Sequence, residues 1–490
     1  MASEKVVFLM IFLSVAVLCI GGLNGYLPLQ EDSCIYLSLA QSLSKGLGYT
    51  YTAGPVNAPA NYYPPGYPAM ISPLVSFFPR QYLASKILTV VLTLMLIGII
   101  LYSLEEMFKD TSTIFAVLLA FNSLIIFYSR QILTEIPYLL FSFCGIYCFT
   151  RYGQATRIVS RFLFLAAFFM AIAFYVRAIG IVLVIAALLY CVFRRKITQG
   201  ITLAFLFFIS VFPWIYHGTR ASKNAYIAEF EHATGGLWDL LQRLTYNLAA
   251  TVGKELPDLF FYPFLTALDS RSFVFIFKFS LGSAIAVVLI VGFIKKIRQK
   301  GVWFFDVYSV VYFCVYLTWT HHGARYLVPL LPFLLYYLFL GAHSLLKREF
   351  FIKGVICAII FLNIAGSIHE IIRERNNPYQ PAEISFIQAV DWIKKNVSSE
   401  NIILSRRSNW IYVYTQGLRG VKLLRTTDTR AHYAYIMDTK VDYIVIDQNK
   451  IYRDDARDYL LPLVRDYPDN FEKVYASPMK PQTYVYKVIR

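Results

Sequence analysis

Two adjacent carboxylates, Glu31 and Asp32, follow the first long apolar run of the chain, residues 6–22. The residues after them are apolar at every fourth position, which predicts a helix with Tyr36 one turn beyond Asp32. A carboxylate within hydrogen-bond reach of a hydroxyl can accept its proton as a general base. Pro64, Pro65, Gly66 and Pro68 then turn the chain back, so the acidic pair is expected to lie in a structured external cavity. The alternative is that both acids only complement the helix dipole.

Glu135 is a second acidic candidate, near one end of a predicted membrane span that reads "ILTEIPYLL". An ionised group there is unfavourable unless it faces a cavity or a partner. The alternative is a helix-terminal acid stabilised by the dipole, with Pro137 in the first turn. We favour a functional role, because Glu135 is predicted to lie on the same side of the membrane as Asp32.

Two arginines predicted on that side are candidates for binding an anion. Arg177 lies between two short apolar runs, and Arg325 begins "RYLVPLLP" at a predicted helix start. An Arg can bind phosphate through two hydrogen bonds, although Arg177 could equally reach for a lipid headgroup. His321 and His322 precede Arg325 by one predicted turn and are candidate substrate ligands. A metal is the weaker alternative for them, because adjacent histidines point apart on a helix.

The composition is that of an integral membrane protein. Of 490 residues, 57% are hydrophobic and 16% are charged, with a mean hydropathy of +0.53; soluble proteins carry about 25% charged residues. Apolar runs near the length that crosses a bilayer predict eleven spans. These spans are 6–22, 82–104, 112–129, 132–150, 162–176, 178–193, 200–216, 273–294, 303–320, 326–346 and 354–370.

The net charge of +16 reflects topology rather than nucleic-acid binding, because basic residues occur in every second loop, the positive-inside pattern. The basic residues of these loops are Arg151, Arg157, Arg161, Arg194, Arg195, Lys196, Lys295, Lys296, Arg298, Lys300, Lys347, Arg348 and Lys353. With the N-terminus inside and the first span uncleaved, residues 23–81, 217–272 and 371–490 are expected outside. Lys86 and Arg130 are expected to anchor the outer interface.

The organisation predicted from these patterns is a helical membrane domain, 1–370, and a small α/β domain, 371–490. The second range begins with an amphipathic helix and contains five short β-like runs, "NIILS", "VKLLR", "VDYIVID", "KVYAS" and "TYVYKVI". Leucines in 217–272 form one stripe, which predicts an amphipathic helix. Cys34 is the one cysteine of seven outside an apolar run, so neither a disulfide framework nor a zinc site is indicated.

Several motifs, taken in order, resemble the GT-C glycosyltransferases that use polyprenyl-phosphate sugars, in particular the bacterial branch related to protein O-mannosyltransferases and lipid A aminoarabinose transferase. The first external loop resembles theirs in an Asp followed four residues later by Tyr, a Gly-x-Gly-Tyr turn and a Pro-Pro-Gly-Tyr-Pro turn. Later motifs are "SRQILTEIPYLLF", "FYVRAIGIVLV", "FPWIYHG" and "HHGARYLVPLLPFLL". The resemblance extends over essentially the whole chain.

The resemblance implies a polytopic α-helical GT-C fold of about eleven transmembrane helices, with a C-terminal extracytoplasmic α/β domain. It implies an inverting transferase in the bacterial inner membrane that moves a sugar from a polyprenyl-phosphate carrier to a hydroxyl of a glycan, lipid or protein, on the outer face. Membrane lipids are the other expected partners, and nucleic acid is not. The alternatives are an O-antigen ligase or polymerase and a non-catalytic transporter of lipid-linked sugars.

By the same resemblance the catalytic residues are Asp32, Glu135 and Glu31. The substrate-binding residues are Tyr36, Tyr63, Arg177, Arg325, His321 and His322. The sequence departs from some relatives at Tyr62 and Tyr63, where those proteins have an acidic residue and a Lys before Pro-Pro. Dependence on a divalent metal is therefore not carried over, and no cofactor is expected.

Overall fold

The computed structural model describes residues 2–28, 30–78, 82–108, 112–153, 160–220, 236–262, 265, 272–346, 348–424, 426–448 and 456–490. Arg157, Lys347 and parts of the predicted external segment 217–272 lie outside these residues. The chain divides into two compact units. The first comprises Met1–Leu23, Asn61–Tyr67 and Lys86–Ile372, and the second comprises Asn24–Ala60, Pro68–Ser85 and Arg373–Arg490.

Most of the described residues are helical. In chain order the α-helices are α1 (Ala2–Gly21), α2 (Glu31–Ser44), α3 (Gly66–Phe77), α4 (Tyr82–Met107), α5 (Ser112–Ala120), α6 (Ser123–Tyr128), α7 (Glu135–Gly153), α8 (Arg161–Val176), α9 (Ile181–Phe193), α10 (Ile197–Arg220), α11 (Leu237–Ala250), α12 (Leu256–Phe261), α13 (Ser272–Lys300), α14 (Phe304–Thr318), α15 (Ala324–Leu327), α16 (Leu331–Leu345), α17 (Glu349–Asn376), α18 (Pro381–Asn396), α19 (Ser408–Thr415), α20 (Thr429–Asp438) and α21 (Ala456–Asp466). The strands are β1 (Thr50–Tyr51), β2 (Ala58–Pro59), β3 (Ile403–Leu404), β4 (Gly420–Val421), β5 (Tyr443–Ile446), β6 (Phe471–Ala476) and β7 (Tyr484–Val488).

Many of these helices are apolar enough for a membrane. Within the described residues, 5 segments have the length and composition to cross one: Tyr82–Leu104, Ile197–Gly218, Val274–Lys300, Ala324–Leu345 and Glu349–Asn396. Shorter apolar helices are Val6–Gly21, Arg161–Val176, Ala178–Phe193 and Phe304–Thr318. Each of these segments overlaps a predicted span. The total of eleven spans stays a prediction.

The predicted span 112–129 is interrupted in the structure. Helices α5 and α6 are separated at Phe121 and Asn122. The Asn122 side chain accepts two backbone N–H groups of α6 and donates its own N–H to the carbonyl of Leu259, at 3.0 Å. An Asn bonded in this way begins a new helix rather than continuing the previous one. The next predicted span, 132–150, likewise becomes helical only at Glu135, the first residue of α7.

Helices α13 and α16 pack with their backbones in contact, because glycines lie at the crossing. A β-carbon on Gly292 would collide with the carbonyl oxygen of Tyr337. One on Gly341 would collide with the carbonyl oxygen of Val288. Small residues at such a crossing let membrane helices approach closely and gain dispersion contacts. The pair brings the C-terminal part of α13 against α16.

The turn from α13 to α14 is held by a buried ion pair. Lys296 and Asp306 are each 1% exposed and bonded to one another. Asp306 also accepts the Tyr337 hydroxyl at 2.7 Å and the Trp303 backbone N–H at 2.6 Å, so it caps the start of α14. Lys296 also donates to the carbonyl of Gly301 at 3.0 Å. Two charges buried this deeply are tolerated because both are paired and hydrogen-bonded.

The second unit is built on a five-stranded sheet with the order β4-β3-β5-β7-β6. Strand β3 is parallel to β4 and β5, whereas β7 is antiparallel to β5 and β6. Its five strands fall in or overlap the five β-like runs of the sequence. Apolar side chains fill its core, among them Leu404, Val441, Ile444, Leu460 and Val488.

Residues from near the N-terminus also belong to this second unit. Helix α2 packs against α19. The Gly420 N–H donates to the carbonyl of Ala53 at 2.8 Å, beside strand β4. Arg419 donates to the carbonyl of Pro55 at 2.8 Å, and Tyr379 donates to that of Leu27 at 3.0 Å. The unit thus combines part of the predicted external segment 23–81 with residues more than 300 positions later.

Candidate functional site

Three of the charged residues singled out in the sequence lie where helices of the first unit begin or break. Glu135 is the first residue of α7. Arg177 follows α8 in an extended conformation and precedes the single 3₁₀ turn that leads into α9. Arg325 lies in α15, which starts after Gly323, a residue with a φ of 150° that glycine adopts most readily. Side chains at such positions point away from the regular helix surface.

The structure brings these three side chains together. One oxygen of Glu135, Oε1, accepts hydrogen bonds from Arg325 Nε at 2.8 Å and from Arg177 Nη1 at 3.4 Å. The Glu135 side chain is 0% exposed, whereas those of Arg177 and Arg325 are 13% and 26% exposed. The carboxylate is therefore buried behind two partly accessible guanidinium groups. We call Glu135, Arg177 and Arg325 the charged cluster.

Aromatic rings line the charged cluster. The Tyr326 ring centroid lies 5.5 Å from the guanidinium carbon of Arg177 and 5.3 Å from that of Arg325. The Tyr138 ring centroid lies 6.0 Å from the guanidinium carbon of Arg177. Rings at these distances stabilise cations through their negative faces and hold the planar guanidinium groups in place. The cluster as a whole carries one positive charge, from two Arg and one Glu.

The second oxygen of Glu135, Oε2, is buried and has no hydrogen-bond partner in the described structure. Buried carboxylate oxygens are nearly always hydrogen-bonded, so an orphan acceptor calls for an explanation. A bound molecule that carries a hydroxyl group would satisfy it. This orphan oxygen distinguishes Glu135 from an acid whose only role is to start a helix.

His321 and His322 lie in the non-helical segment between α14 and α15, outside the two predicted spans that flank them. His322 Nδ1 is 3.2 Å from Glu255 Oε1. Glu255 is 1% exposed and is the last residue of a single turn of π-helix, Thr251–Glu255. Its carboxylate accepts hydrogen bonds from the hydroxyl groups of Thr251 and Tyr316. Turns of π-helix are frequent at functional sites.

Hydrogen bonds from helix α11 hold the segment that carries both histidines. Asn247, 1% exposed, donates to the carbonyls of Leu317 and Trp319 at 2.8 and 2.9 Å. With Glu255 on His322, these bonds fix the backbone that immediately precedes Arg325. This support could not be predicted from sequence, since Asn247 and Glu255 are some 70 positions from the residues they bond.

Glu31, Asp32 and Tyr36 lie on one helix, α2, as predicted, and both acids are in its first turn. Helix α2 belongs to the second unit. Tyr36 is buried and Asp32 is half-buried. Glu31 Oε1 accepts a hydrogen bond from Asn409 Nδ2 at 2.8 Å and lies 3.2 Å from Lys422 Nζ. Neither partner could be recognised from the sequence.

Cys34 lies on the same helix and is 0% exposed. Burial, and after it the negative charge of Glu31, raises the pKa of the Cys34 thiol well above its usual range. The thiol is therefore protonated at neutral pH and a poor nucleophile.

Three further residues singled out in the sequence are Lys86, Arg130 and Tyr63. Lys86 and Arg130 are 4% and 1% exposed, so they are buried within the protein and do not anchor a membrane interface as predicted. Tyr63 is half-buried and its ring contacts that of Tyr62, with centroids 4.9 Å apart. Among the residues that the structure describes, no three His, Cys, Asp or Glu side chains are grouped as a metal site requires.

The chain is similar to one known protein family and to several solved structures. Residues 63–217 match the family model described as dolichyl-phosphate-mannose-protein mannosyltransferase. The structure resembles that of ArnT from Cupriavidus metallidurans bound to undecaprenyl phosphate, with a TM-score of 0.61, 11% identity and coverage of 98% of this chain and 97% of ArnT. It also resembles the archaeal oligosaccharyltransferase AglB from Archaeoglobus fulgidus, in complex with an inhibitory peptide and a dolichol-phosphate, with a TM-score of 0.57, 11% identity and coverage of 89% of this chain and 69% of AglB. No curated protein sequence matches the chain. The chain thus has the fold that ArnT and AglB share, and the resemblance to GT-C glycosyltransferases predicted from its motifs is confirmed.

Proposed function

We propose that the protein is an inverting glycosyltransferase that moves a sugar from a polyprenyl-phosphate carrier to a hydroxyl group of a cell-envelope glycan, lipid or protein. The reaction takes place on the outer face of a bacterial plasma membrane. Support for this side comes from the alternation of basic loops along the sequence, which puts Asp32, Glu135, Arg177 and Arg325 outside.

The charged cluster is the observation that carries the proposal. A lipid monophosphate ester is a compact anion attached to a long apolar chain. Two partly accessible guanidinium groups on an apolar helical unit offer charge-assisted hydrogen bonds to such an anion. A phosphodiester carries one negative charge, which is attracted to these guanidinium groups.

The donor class is supported by the proteins that share the fold. ArnT was solved with undecaprenyl phosphate and AglB with a dolichol-phosphate. The matching family model also refers to a dolichyl-phosphate sugar. All three contain a single phosphate esterified to a long polyprenyl-type lipid, and the third also carries a sugar on that phosphate. We extend that ligand class to this protein.

In the proposed reaction Asp32 accepts the proton of the acceptor hydroxyl as its oxygen attacks the anomeric carbon of the sugar. The bond between that carbon and the phosphate oxygen breaks, and the bonding electrons leave with the polyprenyl phosphate. Arg325 and Arg177 stabilise the negative charge that develops on the leaving oxygen. The orphan oxygen of Glu135 accepts a sugar hydroxyl. A single displacement inverts the configuration of the anomeric carbon.

The test is a transfer assay with a panel of radiolabelled synthetic polyprenyl-phosphate sugars and envelope extracts as acceptors. Once a donor is found, Asp32→Asn should lower the transfer rate per folded molecule by about 10²–10⁴-fold, the usual effect of losing a general base. Donor binding should persist. If the variant transfers sugar at nearly the normal rate, Asp32 is not the base and the proposed mechanism fails.

A further inference from the structure

The Glu31 carboxylate connects helix α2 to residues of the C-terminal part of the second unit. Its carboxylate accepts the Asn409 amide at 2.8 Å, and Lys422 lies 3.2 Å away. Asn409 lies in the first turn of α19, and Lys422 directly follows strand β4. Each partner is more than 370 positions from Glu31 along the chain, so the contacts form only when the second unit has folded.

These contacts lie one residue from Asp32. Glu31 and Asp32 are the first two residues of α2, and the helix packs on α19 beyond them. A hydrogen bond to a charged acceptor is directional and stronger than one between neutral groups. It therefore fixes the rotation of the first turn of α2, and with it the direction of the neighbouring side chain.

We propose that Asn409 and Lys422 are positioning residues for the transfer reaction: by holding the Glu31 carboxylate they fix the first turn of α2 and thus the orientation of Asp32. This inference rests on the proposed function, in which Asp32 is the base. It makes the C-terminal sheet a part of the catalytic apparatus that touches no substrate. Asn409 carries most of the effect, because the Lys422 side chain is 61% exposed and its ion pair is weakened by solvent.

The test exchanges the two groups of the hydrogen bond in the full-length protein. In Asn409→Asp two carboxylates face each other, so the first turn of α2 should detach. In Glu31→Gln combined with Asn409→Asp the amide and the carboxylate are both present again, with donor and acceptor reversed. Asn377→Asp is the matched control, because Asn377 is exposed and belongs to the same unit.

Two readouts are needed. The first is alkylation of Cys34 by iodoacetamide, followed by peptide mass spectrometry; Cys34 is on α2 and 0% exposed, so its rate reports detachment. We expect a rise of about 10–100-fold in Asn409→Asp and near-normal values in the double variant and in Asn377→Asp. The second is sugar transfer with the donor found in the panel. Its kcat should fall at least tenfold in Asn409→Asp with the donor KM unchanged, and the double variant should transfer sugar faster than Asn409→Asp alone.

The inference is overturned if Asn409→Asp changes neither readout, or if the double variant is no better than the single one. If Asn409→Asp does not fold, the double variant alone decides, since it must then fold and transfer sugar. The proposed function fails on a different result, namely that Asp32→Asn retains sugar transfer, whatever the alkylation rate of Cys34. An inactive Asp32→Asn beside an unaffected Asn409→Asp rejects the inference and leaves the proposed function standing.

Discussion

Glu135 and Arg325 should show a large energetic coupling, measurable by a double-mutant cycle of Glu135→Gln and Arg325→Gln. The bond between Arg325 Nε and Glu135 Oε1 is 2.8 Å long, and the carboxylate is 0% exposed. When Arg325 alone is replaced, Glu135 stays buried with Arg177 as its remaining bonded cation, at 3.4 Å. Removing one partner of a buried ion pair typically costs about 3–5 kcal/mol, because the other charge is left uncompensated.

The double variant should lose less than the sum of the single variants, since replacing Arg325 no longer leaves a buried Glu135 carboxylate without this partner. A charge-assisted hydrogen bond contributes about 1.5–3 kcal/mol, and the 26% exposure of the Arg325 side chain argues for the middle of that range. We therefore expect a coupling of about 2 kcal/mol, or roughly 30-fold in the unfolding equilibrium constant. The free energy of unfolding is measured by titration with sodium dodecyl sulfate in mixed micelles, followed by circular dichroism.

Glu349 and Lys353 provide a matched control pair. They lie one helical turn apart on α17 at 3.2 Å, but their side chains are 76% and 68% exposed. Water and salt reduce the coupling of such a pair to about 0.3–0.5 kcal/mol. If the coupling between Glu135 and Arg325 is no larger than that of the control pair, the charged cluster is not an interacting unit and the reasoning about its net charge is refuted.

Three other predictions follow from the structure. Gly341→Ala should lower the thermal midpoint of the purified protein, because the added methyl group collides with the α13 backbone; Gly98→Ala, with open space around the residue, should not. Glu255→Gln should increase hydrogen exchange about tenfold in the segment that holds His322, because the bond to the imidazole is weakened; unchanged exchange would show that Glu255 does not hold this segment. Protease added to intact spheroplasts should remove residues 371–490, and protection of this range would contradict the predicted topology.

The sequence was informative about residues whose chemistry is unusual for their place. Glu135, Arg177 and Arg325 were recognised because charge is rare near the ends of apolar spans. Their association in one cluster could not be derived, because the three are 42 and 190 positions apart, measured from Glu135. Asn409, Asn247 and other uncharged partners lie in ordinary polar surroundings, so nothing in the local sequence marks them as partners of Glu31 or of the segment before Arg325.

Local patterns predicted helices and strands better than their interruptions. The run 112–129 is apolar enough for one span, yet Asn122 turns it into two helices because its side chain finds a partner in α12. The break between α14 and α15 falls between two predicted spans, as expected, but what holds it could not be derived: carbonyls at the end of α14 accept hydrogen bonds from Asn247, some 70 positions earlier. Hydrophobic periodicity does not record such long-range partners.

A carboxylate at the centre of the charged cluster repels a phosphate, but its position limits this effect. Glu135 begins a helix of 19 residues, and the dipole of α7 stabilises its charge by about 0.3–2 kcal/mol independently of the arginines. It accepts one N–H from each guanidinium group, and each of these groups has five. Glu135 can therefore hold both cations in a fixed orientation without neutralising the pair. In the proposed reaction the two guanidinium groups bind the lipid phosphate, and the carboxylate between them weakens their attraction for the more highly charged product and so favours its release.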